Sequence, residues 1–244
     1  MIIDIFGDSF SDDTIRHQST DTWTDLLKNE YGFQINNYSR HGTGAQWCVE
    51  EFMKLEDYGD FLLFCFPDMN RISFEYFDEH EQAHALLLYN YSKYNDGFDF
   101  PETINEKIIE MSDRIFDDFE AFYSTGLYRI LEVLFVSFIL SKSKLYKKIL
   151  IWPSSGLGFP FRYYSNKIEI PENSHIMSKS MHLIAQLENK KELSKKGNTF
   201  TFGKDPRNNH LSYENHIVFA KQVSDFFNND IIPDYSKFKV LCGL

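Results

Sequence analysis

Four positions in this chain carry groups suited to acyl transfer: Ser9, Gly42, Asn70 and His210. A serine hydroxyl can attack an ester carbonyl when a base removes its proton. A histidine can take that proton and later return it to the leaving group. The tetrahedral oxyanion needs preorganised donors. The backbone N–H groups of Ser9 and Gly42 and the side-chain amide of Asn70 would supply them, and a glycine at 42 lets the backbone come close to substrate. Alone, Gly7-Asp8-Ser9 is also ordinary turn composition. What gives the four residues weight is where the surrounding elements should put them.

The run Met1 to Phe6 is apolar and isoleucine-rich, which predicts a buried strand ending in a turn at Gly7. Ser9 then falls at the carboxyl end of a sheet, where open α/β sheets collect ligands. Trp23, Leu26 and Leu27 share a helical face that Ser19, Thr20 or Asp21 can cap. Phe33 to Tyr38 predicts a second strand, running into the glycine-rich loop Ser39 to Gly44 and a helix through Trp47, Phe52 and Leu55. Phe61 to Phe66 is an unbroken apolar strand that stops at Pro67-Asp68-Met69-Asn70-Arg71. Three strand–loop–helix units in succession predict a parallel sheet. The rhythm resumes with a strand at Ile149 to Trp152, closed by Pro153-Ser154-Ser155-Gly156. A helix near 175–188 uses Ile176, Leu183, Ile184 and Leu187, and Thr199 to Phe202 is the expected last strand. A helix over about 213–228 follows. Ser212 is its N-cap, with Ile217, Ala220, Val223 and Phe227 facing inward. The loops after the first three strands and the loop before this helix share one end of such a sheet, which gathers the four residues.

A length of 244 residues fits one α/β domain, 1–244, with a helical insertion at about 72–147. The insertion begins aromatic-rich and should end in helices at roughly 113–125 and 127–143. It is far longer than the dozen or so residues a crossover needs. Its length predicts a cap beside the site that sets substrate choice. A net charge of −11 argues against general nucleic-acid binding. Cys48, Cys65 and Cys242 are widely spaced and odd in number, which suits a reducing compartment and shows no disulfide or metal pattern. The first strand starts at residue 2 without a basic lead. The apolar stretch Ile130 to Leu140 contains Glu132 and is too short to span a bilayer. The expectation is a cytoplasmic chain with no membrane segment; oligomeric state leaves no signature.

His80-Glu81-Gln82-Ala83-His84 matches the zinc-protease signature, with Glu102, Glu106 or Glu110 available as a third ligand. It lies inside the insertion rather than on a framework helix. The plainer reading is a solvated helical face continuing to Leu86 and Leu87, with no metal. His41 beside Gly42 could touch substrate, whereas His216 should be an exposed residue of the last helix. The tyrosines at 76, 89, 91 and 94 read as packing within the insertion rather than as sugar-stacking platforms.

Taken in order, these motifs resemble the SGNH (GDSL-like) hydrolases. Gly7-Asp8-Ser9 is similar to that family's first block, and Asn37-Tyr-Ser-Arg-His-Gly42 to its second. Asp68-Met69-Asn70-Arg71 stands where the third block, Gly-x-Asn-Asp, belongs, and His210 before a helix resembles the fifth. The resemblance implies a three-layer flavodoxin-like sandwich with a central parallel sheet. It also implies a serine esterase or deacetylase that needs no cofactor and acts on a small-molecule or carbohydrate ester. Ser9 would be the nucleophile, His210 the base, and Ser9, Gly42 and Asn70 the oxyanion hole. There are departures. Asp68 replaces a glycine, Arg71 replaces an aspartate, and the position three before His210 is Arg207, with Asn208 two before. The nearest carboxylate before His210 is Asp205, five positions back. Either Asp205 swings in behind Pro206 to orient His210, or a Ser–His dyad operates, or activity is reduced. The alternative is a catalytically degenerate relative serving as a binding or structural component.

Overall fold

This computed structural model describes residues 1–13, 21–40, 43–67, 69, 72–74, 84–86, 127–154, 168–185 and 211–239. Its strands are β1 (Ile2–Phe6), β2 (Gln34–Asn37), β3 (Phe61–Phe64), β4 (Ile72–Phe74), β5 (His84–Leu86), β6 (Lys148–Ile151) and β7 (Ser174–Ile176). The helices are α1 (Trp23–Asn29), α2 (Ala45–Met53), α3 (Leu127–Ser141) and α4 (Tyr213–Asn229). Five strands form one sheet in the order β2-β1-β3-β6-β7, every neighbouring pair parallel. The register sets Ile3 beside both Ile35 and Phe61, and Phe64 beside Ile151.

Alternation along the strands explains why the fold has three layers. Side chains of a strand point to opposite faces in turn, so a strand apolar at every position must be covered on both sides. Ile3, Ile5, Leu63 and Leu150 pack with Trp23 and Leu27 of α1 and with Phe219, Ala220 and Val223 of α4. Phe6, Leu62, Phe64, Ile149 and Ile151 pack with Cys48 and Phe52 of α2 and with Val136 and Ile139 of α3. The chain leaves β1 in one direction across the sheet and leaves β2 in the other. Crossovers of one hand then put α1 and α2 on opposite faces. The result is an α/β three-layer sandwich, as the sequence predicts.

One polar group is set within this apolar stack. Asp4 is fully buried on β1, and its carboxylate accepts from Asn36 Nδ2 at 2.9 Å, Gly59 N at 2.7 Å and Tyr146 Oη at 3.0 Å. A buried carboxylate is tolerated only when donors surround it. Here they come from β2, from the chain entering β3 and from the chain entering β6. Burial and the adjacent Asp4 push the Tyr146 phenol far up, so it stays a donor.

Several expectations need correction. The cap of α1 is Thr22, not one of the three preceding residues. Residues 174–176 are a parallel edge strand on β6 rather than the start of a helix; helical residues occupy 181–185. His216 is buried, not exposed, and Ile217 is exposed rather than inward. Within the segment expected to be a helical insertion, β4 and β5 form an antiparallel pair, so His84 begins a strand and does not lie in a helix. The helix α3 is a framework element over the sheet. The expected helix at 113–125 and the expected strand at 199–202 lie outside the described residues. Among those described, no helix is long and apolar enough to cross a membrane.

Candidate functional site

The turn after β1 is built from backbone first. Ser11 N and Asp12 N both donate to Asp8 O, at 3.0 Å each, which curls residues 8–12 into a single tight turn. Asp8 is 1% exposed, and its Oδ1 accepts the Phe10 N–H at 3.1 Å, an aspartate bonding the backbone two residues on. Ser9 rides on this turn and is half-buried. Gly7 is required by space. A Cβ there would lie 2.1 Å from Ser11 Oγ and 2.8 Å from Cys65 Cβ.

Three neighbouring elements hold the turn from different sides. The Trp23 indole of α1 donates to Phe10 O at 2.8 Å. Asn37 at the end of β2 donates through Nδ2 to Ser11 O at 2.8 Å, while its Oδ1 accepts Ser39 N at 3.0 Å. Ser154, fully buried just past β6, donates to Asp8 Oδ2 at 3.0 Å. Behind the turn, Gly7 O accepts Arg40 N at 3.1 Å and lies 3.4 Å from Thr43 Oγ1. The loop after β2 is thereby docked onto the end of β1.

A histidine that the sequence reading did not single out stands here. His182 N donates to Ser154 O at 2.8 Å, and its ring meets the Phe10 ring edge-on at 6.2 Å. Asp8, Ser154, His182 and Phe10 thus make a closed circuit of contacts around the loop that presents Ser9. A second histidine, His216, expected to be exposed but buried, works one step back. The His216 Nδ1 of α4 accepts the Trp23 N–H at 3.2 Å, fixing the first turn of the helix whose indole holds Phe10.

Cys65 lies against Gly7 but is no rival nucleophile. Burial pushes its thiol far up, so it stays protonated and unreactive at neutral pH. Among the described residues, no three His, Cys, Asp or Glu side chains converge as a metal site.

Of the sequence-predicted residues, Ser9 is at the carboxyl end of the sheet, where the strand pattern puts it. Gly42, Asn70, His210 and Asp205 lie outside the described residues, as do His41, Asp68, Arg71, Arg207, Asn208 and His80. The reading missed Ser154 and His182. The Pro-Ser-Ser-Gly stop after β6 was the signal for the first, since it marks another loop at the same sheet edge. Nothing in the local sequence marks the second. No protein-family model matches this chain, and no curated protein matches it.

Proposed function

We propose that the chain is a serine hydrolase that cleaves an ester or O-acetyl group through Ser9. One observation carries this reading. Ser9 stands on the turn leaving β1, and in the order β2-β1-β3-β6-β7 the direction of winding reverses between β1 and β3. That reversal opens a crevice at the carboxyl ends of the strands, the general binding position of such sheets. A nucleophile held there by a braced turn is set on a rigid scaffold beside the space a ligand fills.

In the proposed reaction, Ser9 Oγ attacks the ester carbonyl as His210 takes the hydroxyl proton. The oxyanion is held by the Ser9 and Gly42 N–H groups and by Asn70. Collapse of this adduct breaks the carbonyl–alkoxy bond, and His210 gives its proton to the departing alcohol. Water then attacks the acyl-serine with His210 again as base, releasing the acid and restoring Ser9. Asp205 orients His210 and stabilises the imidazolium. The substrate class in this reading is a small-molecule or carbohydrate ester, with no cofactor. A second reading, a binding component on the same fold, draws on Arg207 and Asn208 at the positions where the resemblance expects the acid.

Labelling by a fluorophosphonate, together with hydrolysis of a short-chain activated ester, tests both. The wild type should label once, at Ser9, and Ser9→Ala should abolish labelling. His210→Ala should lower the ester rate by about 10⁴-fold or more, the scale on which nucleophile and base act as a unit. His182→Ala should have a far smaller effect; the reverse ranking would transfer the base role to His182. Equal hydrolysis by wild type and Ser9→Ala would end the hydrolase reading. A folded wild type silent toward both reagents would favour the binding component.

A further inference from the structure

We propose that Ser154 is a positioning residue for Ser9, acting through Asp8; the inference rests on the serine-hydrolase reading above. The two residues are 146 positions apart in sequence, yet Ser154 Oγ is 3.0 Å from Asp8 Oδ2 and both side chains are buried. The Ser154 hydroxyl has one proton and two acceptors in reach, Asp8 Oδ2 at 3.0 Å and Phe66 O at 3.2 Å. The shorter contact is to the charged group, and charge-assisted bonds are the stronger, so the proton goes to Asp8.

The geometry gives this bond a consequence for the nucleophile. One carboxylate oxygen of Asp8 takes Ser154, and the other takes the Phe10 N–H at 3.1 Å. Phe10 directly follows Ser9, so the plane of the Asp8 carboxylate sets the turn on which Ser9 stands. Ser154 is itself held on the framework. Its N–H donates to Phe66 O at 2.9 Å, beyond the end of β3, and its carbonyl accepts His182 N at 2.8 Å. The turn after β1 is therefore referenced to the chain leaving β3 and β6. Without the hydroxyl, the buried Asp8 carboxylate loses a charge-assisted bond, and with it the tie that holds its plane to the chain leaving β6. Displacements of about 1 Å at a reacting atom cost up to about a hundredfold in rate.

The test compares wild type, Ser154→Ala and Ser154→Thr, the last of which keeps the hydroxyl. Fluorophosphonate labelling is resolved into a reversible binding constant and a bond-forming rate constant. Amide hydrogen exchange is followed at residues 8–12 and along β1. For Ser154→Ala the expected result is a bond-forming rate constant lower by about ten- to a hundredfold with binding unchanged. Exchange should be faster at Phe10 but unaltered at Ile3 and Ile5, and Ser154→Thr should restore most of the rate. Wild-type labelling kinetics in Ser154→Ala would overturn the proposal. So would faster exchange throughout β1, which marks a general loss of structure, or a threonine variant no better than alanine. A folded wild type that does not label overturns the hydrolase reading and the catalytic half of this inference. The exchange arm then decides the rest: unchanged exchange at Phe10 would end the Ser154–Asp8 brace as well.

Discussion

At the scale of single residues, Gly7 is the position with the least latitude. It has no positive φ, so its need for glycine comes from space rather than backbone conformation. A methyl group there would meet Ser11 Oγ at 2.1 Å, Cys65 Cβ at 2.8 Å and Cys65 O at 3.0 Å. The serine hydroxyl can rotate away, but the Cys65 carbonyl belongs to the chain leaving β3 and cannot. Overpacking of this kind costs about 1–3 kcal/mol. Gly7→Ala should lose stability on that scale in urea denaturation, and Ser9 labelling should slow because the turn must shift outward. A variant with wild-type stability would mean that β1 and β3 can separate locally at no cost. The glycine and the serine two positions on were both legible as a strand-ending turn. The roles of Asp8, Ser154 and His182 were not, since each depends on a partner brought near only by the folded sheet.

At the scale of elements, local signals sufficed where a segment carries its own pattern. The helix α4 has an apolar face repeating at helical spacing and an N-cap, Ser212, whose hydroxyl accepts Asn215 N at 3.3 Å. Sequence reading found the cap and, apart from Ile217, the face. It failed for β7, only Ser174-His175-Ile176, because nothing in three residues separates strand from helix. The choice is made by β6, which offers an open edge that those residues pair with. It failed likewise for β4 and β5, whose identity as strands lies in each other. The short helix α1 is an intermediate case: the face was legible and the cap was displaced. Thr22 accepts Asp25 N at 3.5 Å, and Asp25 in return accepts Thr22 N at 3.0 Å, a reciprocal box. Seven residues make too few internal bonds to hold a helix alone. Thr22→Ala should therefore cost about 1 kcal/mol, at the level usual for a lost cap. Thr22→Ser should recover most of it, and thermal melts of the two variants would show the difference. Because Trp23 both follows this cap and holds Phe10, the alanine variant should also loosen the Ser9 turn.

At the scale of the whole molecule, the buried and partly buried weak acids lean one way and shape how stability depends on pH. Burial raises the Tyr31, Tyr38, Tyr146 and Tyr235 phenols and the Cys65 thiol above their ordinary values. An unfolded chain gives up these protons near the ordinary values of 9.0 for the thiol and 10.0 for the phenols, while the native protein keeps them. The native state then holds more protons than the unfolded one, so stability is fully present below about pH 9 and falls as pH rises further. Each retained proton steepens the fall by about 1.4 kcal/mol per pH unit. On the acid side, hydrogen bonds from Lys147 and from the Ile2 N–H lower Asp60, and bonds from Ser236 lower Asp234. Their contribution is present above about pH 4 and is lost below it. Both are surface groups, so it is small. Urea midpoints should accordingly hold level near neutrality and drop more steeply toward alkali than toward mild acid. Tyr146→Phe separates one of these contributors. It removes the phenol from Asp4 and should cost about 1–3 kcal/mol at pH 7. It should also flatten the alkaline fall, because one proton fewer distinguishes the two states. A Tyr146→Phe curve parallel to wild type above about pH 10, where the unfolded phenol ionises, would show that the phenol ionises without leaving the fold, so that the Asp4 cluster admits a charge it is built to exclude.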